Sequence, residues 1–331
     1  IYMADQNKGM SDLWRRLRFV FMAIVVYRLG THIPIPGIDP ARLAALFDQN
    51  QGTILEMFNL FSGGALERMS IFALNVVPYI SAAIIMQLFS NSIPYLQELK
   101  KDGQAGRNQI TQYTRYGTVV LAFVQASALA VTLGASGLAY EPGTSFFISA
   151  VFSVVAGTIF LMWLGEQISE RGIGNGISII IATSILTGIP GAIGQALEQA
   201  RQGDLNILLL LGIGVLAMLV IAIVVFIERG QRRITVNYAQ RQQGRKLMQA
   251  QASHLPFKVN MAGVIPAIFA STFLLFPASL STWFGQAESF GFLQTISLAL
   301  NPGQPLYILT FSALIISFCF IWLALTFDTK E

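Results

Sequence analysis

Few residues in this chain could do bond-making chemistry, and their spacing argues against it. The only histidines, His32 and His254, lie far apart with no Cys, Asp or Glu at ligand spacing, so no metal site is expected. The single cysteine, Cys319, sits in an apolar run and reads as a core thiol; no internal disulfide is possible. Gly172-Ile173-Gly174-Asn175-Gly176 has the glycine density of a phosphate loop. It lacks both the GK[ST] ending and a preceding buried strand, so it reads as a tight loop entering a helix. Glu166 and Glu170 are four apart and could share a helical face as an acid/base pair; beside Arg171, they read as solvated surface charge. No nucleophile–base arrangement is visible, and ionisable groups in the apolar runs fall near their ends. That argues against an intramembrane enzyme and an ion-coupled pump. No cofactor is expected.

What remains is aliphatic side chains at helical spacing. Val76 and Ile80 are four apart, as are Ile177 and Ile181, so each pair shares a helix face. Bundle packing produces this pattern. A hydrophobic constriction that gates a pore by excluding water would need the same pattern. Periodicity does not separate the two.

The elements that must position these residues belong to a membrane protein. Apolar residues make up 54% of the 331 and charged residues 11%, and the mean hydropathy is +0.60; soluble domains average about 25% charged. Around Thr53–Phe89 the chain reads as two pieces. A short helix over Ile54–Phe61 is broken by Ser62-Gly63-Gly64, and after Glu67 and Arg68 an apolar run over Ile71–Phe89 is long enough to span a bilayer. A broken half-helix at membrane depth is tolerated only where protein buries it or it lines an aqueous cavity. Asp5–Arg18 reads as an amphipathic surface helix. Further spans are expected at Phe19–Ile33, Tyr116–Leu133, Phe146–Leu164, Ile177–Ile193, Leu205–Ile227, Val259–Leu280 and Leu306–Phe327, giving about eight in an all-α polytopic bundle.

Charge sets the orientation. Of 21 Lys and Arg, only Arg28, Arg42, Arg68 and Arg201 fall on one side. The rest fall in the N-terminal segment, the loops Ser90–Arg115, Gly165–Gly176 and Glu228–Lys258, and the C-terminal end, which makes that side cytoplasmic. The loop Arg229–Lys258 is basic, and its alternation around Ile234–Tyr238 suggests a short hairpin. Its length, beyond what orientation needs, points to a docking surface for an acidic partner or RNA.

Long stretches then carry a resemblance: IPIPGID (Ile33–Asp39), GTILEMFNLFSGGALERMSIFAL (Gly52–Leu74), PYISAAIIMQL (Pro78–Leu88), GQAGRNQITQYTRYGT (Gly103–Thr118), MWLGEQISERGIGNGISIII (Met162–Ile181), VVFIERGQRRITVNYAQRQQGR (Val224–Arg245), HLPFKVNMAGVIPAIFAS (His254–Ser271) and PGQPLY (Pro302–Tyr307). In order, over nearly the whole chain, they resemble the SecY/Sec61 protein-conducting channel family. The resemblance implies an inverted-repeat clamshell of ten spans around an hourglass pore. Residues 1–193 would be the N-terminal half and 194–331 an incomplete C-terminal half.

By position, the resemblance implies an apolar pore ring of Val76, Ile80, Ile177, Ile181 and Ile268, with valine at a position usually isoleucine and hence a slightly looser seal. It implies a plug at about 54–68, including Phe58, Asn59, Phe61, Ser62, Gly63, Gly64 and Leu66. It implies a lateral gate, where Gln87 and Gln125 would face Ser271 and Thr272. It also implies a docking loop carrying Arg229, Arg232, Arg233, Arg241, Arg245 and Lys246. The implied partners are the small membrane subunits SecE and SecG, the motor ATPase SecA, the ribosome, signal sequences, unfolded preproteins and membrane lipid. The implied place is the bacterial plasma membrane. The family's last two spans and a ring position on the final one are missing, so the chain is expected to be an incomplete stretch of a longer protein. The alternative is a small-solute secondary transporter, whose mid-span polar candidates would be Gln87, Gln125, Ser153 and Thr158.

Overall fold

The computed structural model describes residues 2–39, 42–43, 59, 62–135, 137–141, 143–203, 206–236, 242–243, 246–247, 253–271, 273–274 and 304–326. In chain order the elements are α1 (Tyr2–Gly30), α2 (Val77–Ser92), α3 (Pro94–Lys101), α4 (Gly103–Ala135), α5 (Thr144–Arg171), α6 (Gly176–Gln202), α7 (Ile207–Arg229), four short strands between α7 and residue 259, and α8 (Pro305–Thr326). Among the described residues, five helices are long and apolar enough to cross a membrane: α4, α5, α6, α7 and α8. Two compact units form. One comprises Ile1–Ala192 and Phe269–Ala313, the other Ile193–Ile268 and Leu314–Glu331.

The first unit departs from the expected boundaries in three places. The amphipathic segment and the first span are one helix, α1, because nothing between Arg18 and Phe19 breaks the backbone ladder. On its polar end Asp12 takes hydrogen bonds from Arg16 and Arg15, and the Arg16 bond leads in holding its carboxyl below the usual carboxylate range. Ser90–Arg115 is helical rather than a loop: Pro94 opens α3, where a missing N–H costs nothing, and Lys100 and Lys101 close it against the negative end of the helix dipole. The apolar run Ile71–Phe89 is not one helix. Residues 63–69 and 71–76 are turns, and α2 starts only at Val77, with Pro78 in its first turn. Asn75, just before that start, has φ 48°, a left-handed conformation that asparagine tolerates better than most residues.

These turns are packed rather than loose. Ile35 donates its N–H to the Met69 carbonyl (2.8 Å) and Ile71 donates to Ile33 (3.0 Å). Farther along, Asp39 donates to Leu138 and Tyr140 to Gly37, so the Pro34–Asp39 motif bridges the turn segment and the α4–α5 connection. Ile35, Ile38, Leu66 and Met69 bury their side chains against Ala122, Ala126, Ala130 and Leu133 of α4 and Phe146, Val151 and Val154 of α5. Gly157 of α5 has no room for a side chain, since a Cβ there would lie 2.0 Å from the Ile71 carbonyl oxygen.

In the second unit α7 is capped by Asn206, whose side chain accepts the Leu208 N–H, and it ends with Arg229 in its last turn. The basic segment folds as a ladder: β1 (Gln231–Val236) pairs antiparallel with β4 (Ser253–Lys258), Gln231 opposite Lys258 and Val236 opposite Ser253. β2 (Gln242–Gln243) and β3 (Lys246–Leu247) pair inside it. The strand therefore starts before Ile234, and its partner is the far end of the loop rather than the next residues along.

Candidate functional site: an aliphatic collar and the turn seated on it

Four of the five expected ring residues come together. Val76, just before α2, is fully buried in a cluster with Tyr27 of α1, Ala65 and Phe72 of the turns, and Leu161, Leu164 and Ile168 of α5. Ile80 of α2 and Ile177 and Ile181 of α6 are partly buried against that same cluster. Their half-exposure leaves an aliphatic face uncovered, whereas Val76 is committed to packing. Helix α6 reaches this place because the α5–α6 turn is very tight. Ser169 Oγ accepts the Gly176 N–H at 2.8 Å, Asn175 Oδ1 accepts from Ile177, and Gly174 has φ 72°. A Cβ on Gly176 would sit 1.9 Å from the Gly165 carbonyl oxygen, so the glycines of this turn serve contact between helices, not phosphate binding. Ile268, half-buried in helical turns over 265–271, belongs to the second unit.

Above the cluster sits the Ser62–Gly64 turn, with φ 66° at Gly63 and 79° at Gly64. Ser62 Oγ donates to the Asn59 carbonyl and accepts the Leu66 N–H; Asn59 exchanges two 3.0 Å bonds with Glu67, one to its backbone and one to its carboxylate. Arg28 donates to the Gly63 carbonyl (3.1 Å) and Tyr27 Oη to the Ser62 carbonyl (3.3 Å). On the other side a Cβ on Gly63 would lie 3.0 Å from Ser184 Cα and Thr187 Oγ1, so the turn touches α6 through a bare backbone. His32 ties the far edge. Its Nδ1 meets the Arg28 carbonyl at 2.8 Å and its Nε2 meets Arg68 at 2.9 Å; guanidinium only donates, so the proton is on Nδ1. Phe58 and Phe61 lie outside the described residues, as does the short helix expected over Ile54–Phe61, apart from Asn59.

Sequence reasoning missed Tyr27, Asn75 and Ser184. All three are buried and bonded to one another, Tyr27 Oη to Ser184 Oγ at 2.6 Å and Asn75 Nδ2 to Ser184 Oγ at 3.1 Å. The sequence offered little signal, since each sits in an apolar run (Phe19–Ile33, Ile71–Phe89 and Ile177–Ile193) that carries other polar residues as well. Aromatic stacking supports the same place: Tyr27 on Phe72 (6.1 Å between centroids) and Phe72 on Phe160 (5.9 Å).

The remaining candidates are scattered. Gln87 and Gln125 are half-buried on α2 and α4, which pack together; Ser271 is buried, and Thr272 lies outside the described residues. Thr158 donates its hydroxyl to Val154 of its own helix. Glu166 is not simply solvated: it joins α5 to α4 through a 2.7 Å ion pair with Arg115, its side chain 19% exposed. Arg232 and Arg233 are exposed on adjacent residues of β1 and therefore point to opposite faces of the ladder. Arg229 ends α7 and Lys246 lies in β3, while Arg241 and Arg245 are outside the described residues. Among the described residues no group of three or more His, Cys, Asp or Glu could hold a metal ion.

The model of the SecY family matches residues 70–331. The chain belongs to the SecY family. It is 64% identical over 328 residues to the protein translocase subunit SecY of Pseudomonas aeruginosa, covering 99% of this chain and 74% of that one. It is 59% identical over 327 residues to SecY of Escherichia coli K12, covering 98% and 74%. Among solved structures, a protein-conducting channel superposes with a TM-score of 0.58 at 21% identity, covering 82% of this chain and 59% of that one. A SecY channel whose plug domain stabilises the closed state and maintains a membrane seal superposes with 0.57 at 21% identity, covering 82% and 58%. Sec61 from a canine ribosome–channel complex gives 0.57 at 20% identity, covering 82% and 59%. The fold is thus that of SecY/Sec61 channels, and SecY membership leaves the secondary-transporter reading without support.

Proposed function

We propose that this SecY chain is the central part of the pore through which a bacterial translocase passes unfolded secretory polypeptides across the plasma membrane and releases apolar segments sideways into lipid. The observation that carries this is the meeting of Ile80, Ile177, Ile181 and the Ser62–Gly64 turn at one buried cluster. Aliphatic side chains exclude water and ions when closed, and they offer no hydrogen bonds to a passing chain, so they can fit around it without holding it. The segment at about 54–68, which includes the Ser62–Gly64 turn, acts as the plug. By family resemblance, Gln87, Gln125, Ser271 and Thr272 would be lateral-gate residues, and Ile268 would be the ring residue of a C-terminal half (194–331), the other ring residues belonging to an N-terminal half (1–193).

A signal sequence would enter at the gate because its apolar segment is more stable in lipid than in water, by about 0.8 kcal/mol per buried CH₂. The N-terminus and the basic ladder would face the cytoplasm, following the charge bias. Arg229, Arg232, Arg233, Arg241, Arg245 and Lys246 would dock the ribosome or SecA, and SecE and SecG would complete the membrane complex. Drive would come from those partners, since the chain carries no nucleotide-binding motif.

The test is reconstitution of the full-length parent with SecE and SecG in proteoliposomes. Added SecA and ATP should render a signal-bearing preprotein protease-protected, and a preprotein lacking its signal should stay accessible. Absence of protection in vesicles of demonstrated integrity would overturn the reading.

A further inference from the structure

We infer that Tyr27, Asn75 and Ser184 form a polar latch that sets how readily the plug leaves its seat; this rests on the pore reading above. The three residues come from three different elements, namely α1, the turn before α2, and α6, and they meet inside an otherwise apolar cluster. One proton assignment runs the hydrogen bonds in a line: Asn75 Nδ2–H to Ser184 Oγ (3.1 Å), Ser184 O–H to Tyr27 Oη (2.6 Å), and Tyr27 O–H to the Ser62 carbonyl (3.3 Å). The line therefore ends on the plug turn itself. Arg28 holds the next carbonyl, Gly63, so two consecutive plug carbonyls are pinned to α1.

Two further features make this a latch rather than a static brace. First, Ser184 Oγ also lies 2.9 Å from the Ile180 carbonyl of its own helix. The hydroxyl can turn to that acceptor when Tyr27 is withdrawn, so opening leaves no orphaned Ser184 donor, and a buried unpaired donor is what would make opening prohibitive. Second, Asn75 carries the left-handed backbone at the joint between the turns and α2. Strained conformations of this kind persist where the surroundings over-determine them, and they collect at switching segments. Asn75 and Val76 are neighbours in sequence, so one joint links the latch to the collar.

The test uses the full-length parent with SecE and SecG in planar bilayers, without motor or preprotein, and reads resting ion conductance. Tyr27→Phe, Ser184→Ala and Asn75→Gly should each raise it roughly three- to tenfold, the range a single net hydrogen bond spans. Asn75→Gly is included because glycine keeps the left-handed backbone while deleting the amide. Thr158→Val, which deletes a buried hydroxyl bonded to the Val154 carbonyl of its own helix, should leave conductance within twofold of the parent. The Tyr27→Phe/Ser184→Ala double variant should leak about as much as either single, because the line acts as a unit. Single variants that stay within twofold of the parent, or effects that multiply in the double, would overturn the latch while leaving the pore reading intact. A parent that neither conducts nor exports preprotein would bring down both.

Discussion

Helices α5 and α7 are both long and apolar enough to cross a membrane, α7 being the more apolar, and they behave as opposites in space. Half of the most apolar 18-residue window of α5 is buried; none of that of α7 is. On α5, Gly157 lies where a Cβ would strike the Ile71 carbonyl and Gly165 where one would strike Ile177 Cδ1 at 2.5 Å. On α7, no atom of the described residues lies within 4 Å of where a Cβ on Gly212 or Gly214 would sit. Hydropathy therefore marks which segments cross a membrane, but not which are gripped by protein. The gripped helix is the one carrying a non-helical segment across its face. In a bilayer, close backbone approach and satisfied polar groups must do what the hydrophobic effect does in water.

That contrast can be broken most forcefully at Gly157. Gly157→Leu should destabilise the protein by about 3 kcal/mol, the upper range of overpacking, seen as loss of the monodisperse peak in detergent. A variant that folds normally would show the turn segment to be loosely held. Next comes Arg115→Met, which strands the half-buried Glu166 and should cost roughly 1–2 kcal/mol in thermal unfolding after allowance for the partly exposed guanidinium. Glu166→Gln added to it should recover most of that loss.

In the second unit, the joint change Arg232→Glu and Arg233→Glu should cut motor-driven export about tenfold, more at low salt than at high. It should leave resting conductance untouched, which separates docking from sealing. The smallest effect belongs to Gly212→Ala. With open space around it, the change should only add helix propensity, stabilising by up to about 1 kcal/mol in the same thermal assay. A fall in stability there would mean that α7 is packed as α5 is.

Much of the architecture was legible because spans announce themselves by length and apolarity: α4 to α8 lie where the apolar runs lie. The break at Ser62-Gly63-Gly64 was legible from glycine alone. The delayed start of α2 was not. Six residues from Ile71 to Val76 are as apolar as the helix that follows, and Asn75 and Pro78 set the true boundary through backbone conformation rather than hydropathy. Arg115 escaped in the same way. It looked like loop charge because the helix α4 begins well before its apolar part, and only helix packing brings it to Glu166. Spacing placed Val76 with Ile80 and Ile177 with Ile181 on shared helix faces without separating packing from a ring, and it gave no hint of Tyr27–Ser184–Asn75. Those contacts join residues far apart in sequence, each unremarked within its own segment.

The central claim is that polypeptide passes the collar at Ile80, and it can be tested at that residue. In the full-length parent with Cys319→Ser and Ile80→Cys, a secretory preprotein carrying one cysteine would be stalled in transit with SecA and ATP, then oxidised. The account predicts a disulfide between Cys on the preprotein and position 80 that requires both ATP and the signal sequence. Efficient export with no such cross-link would contradict it, and would mean that Ile80 packs the bundle while the chain travels elsewhere.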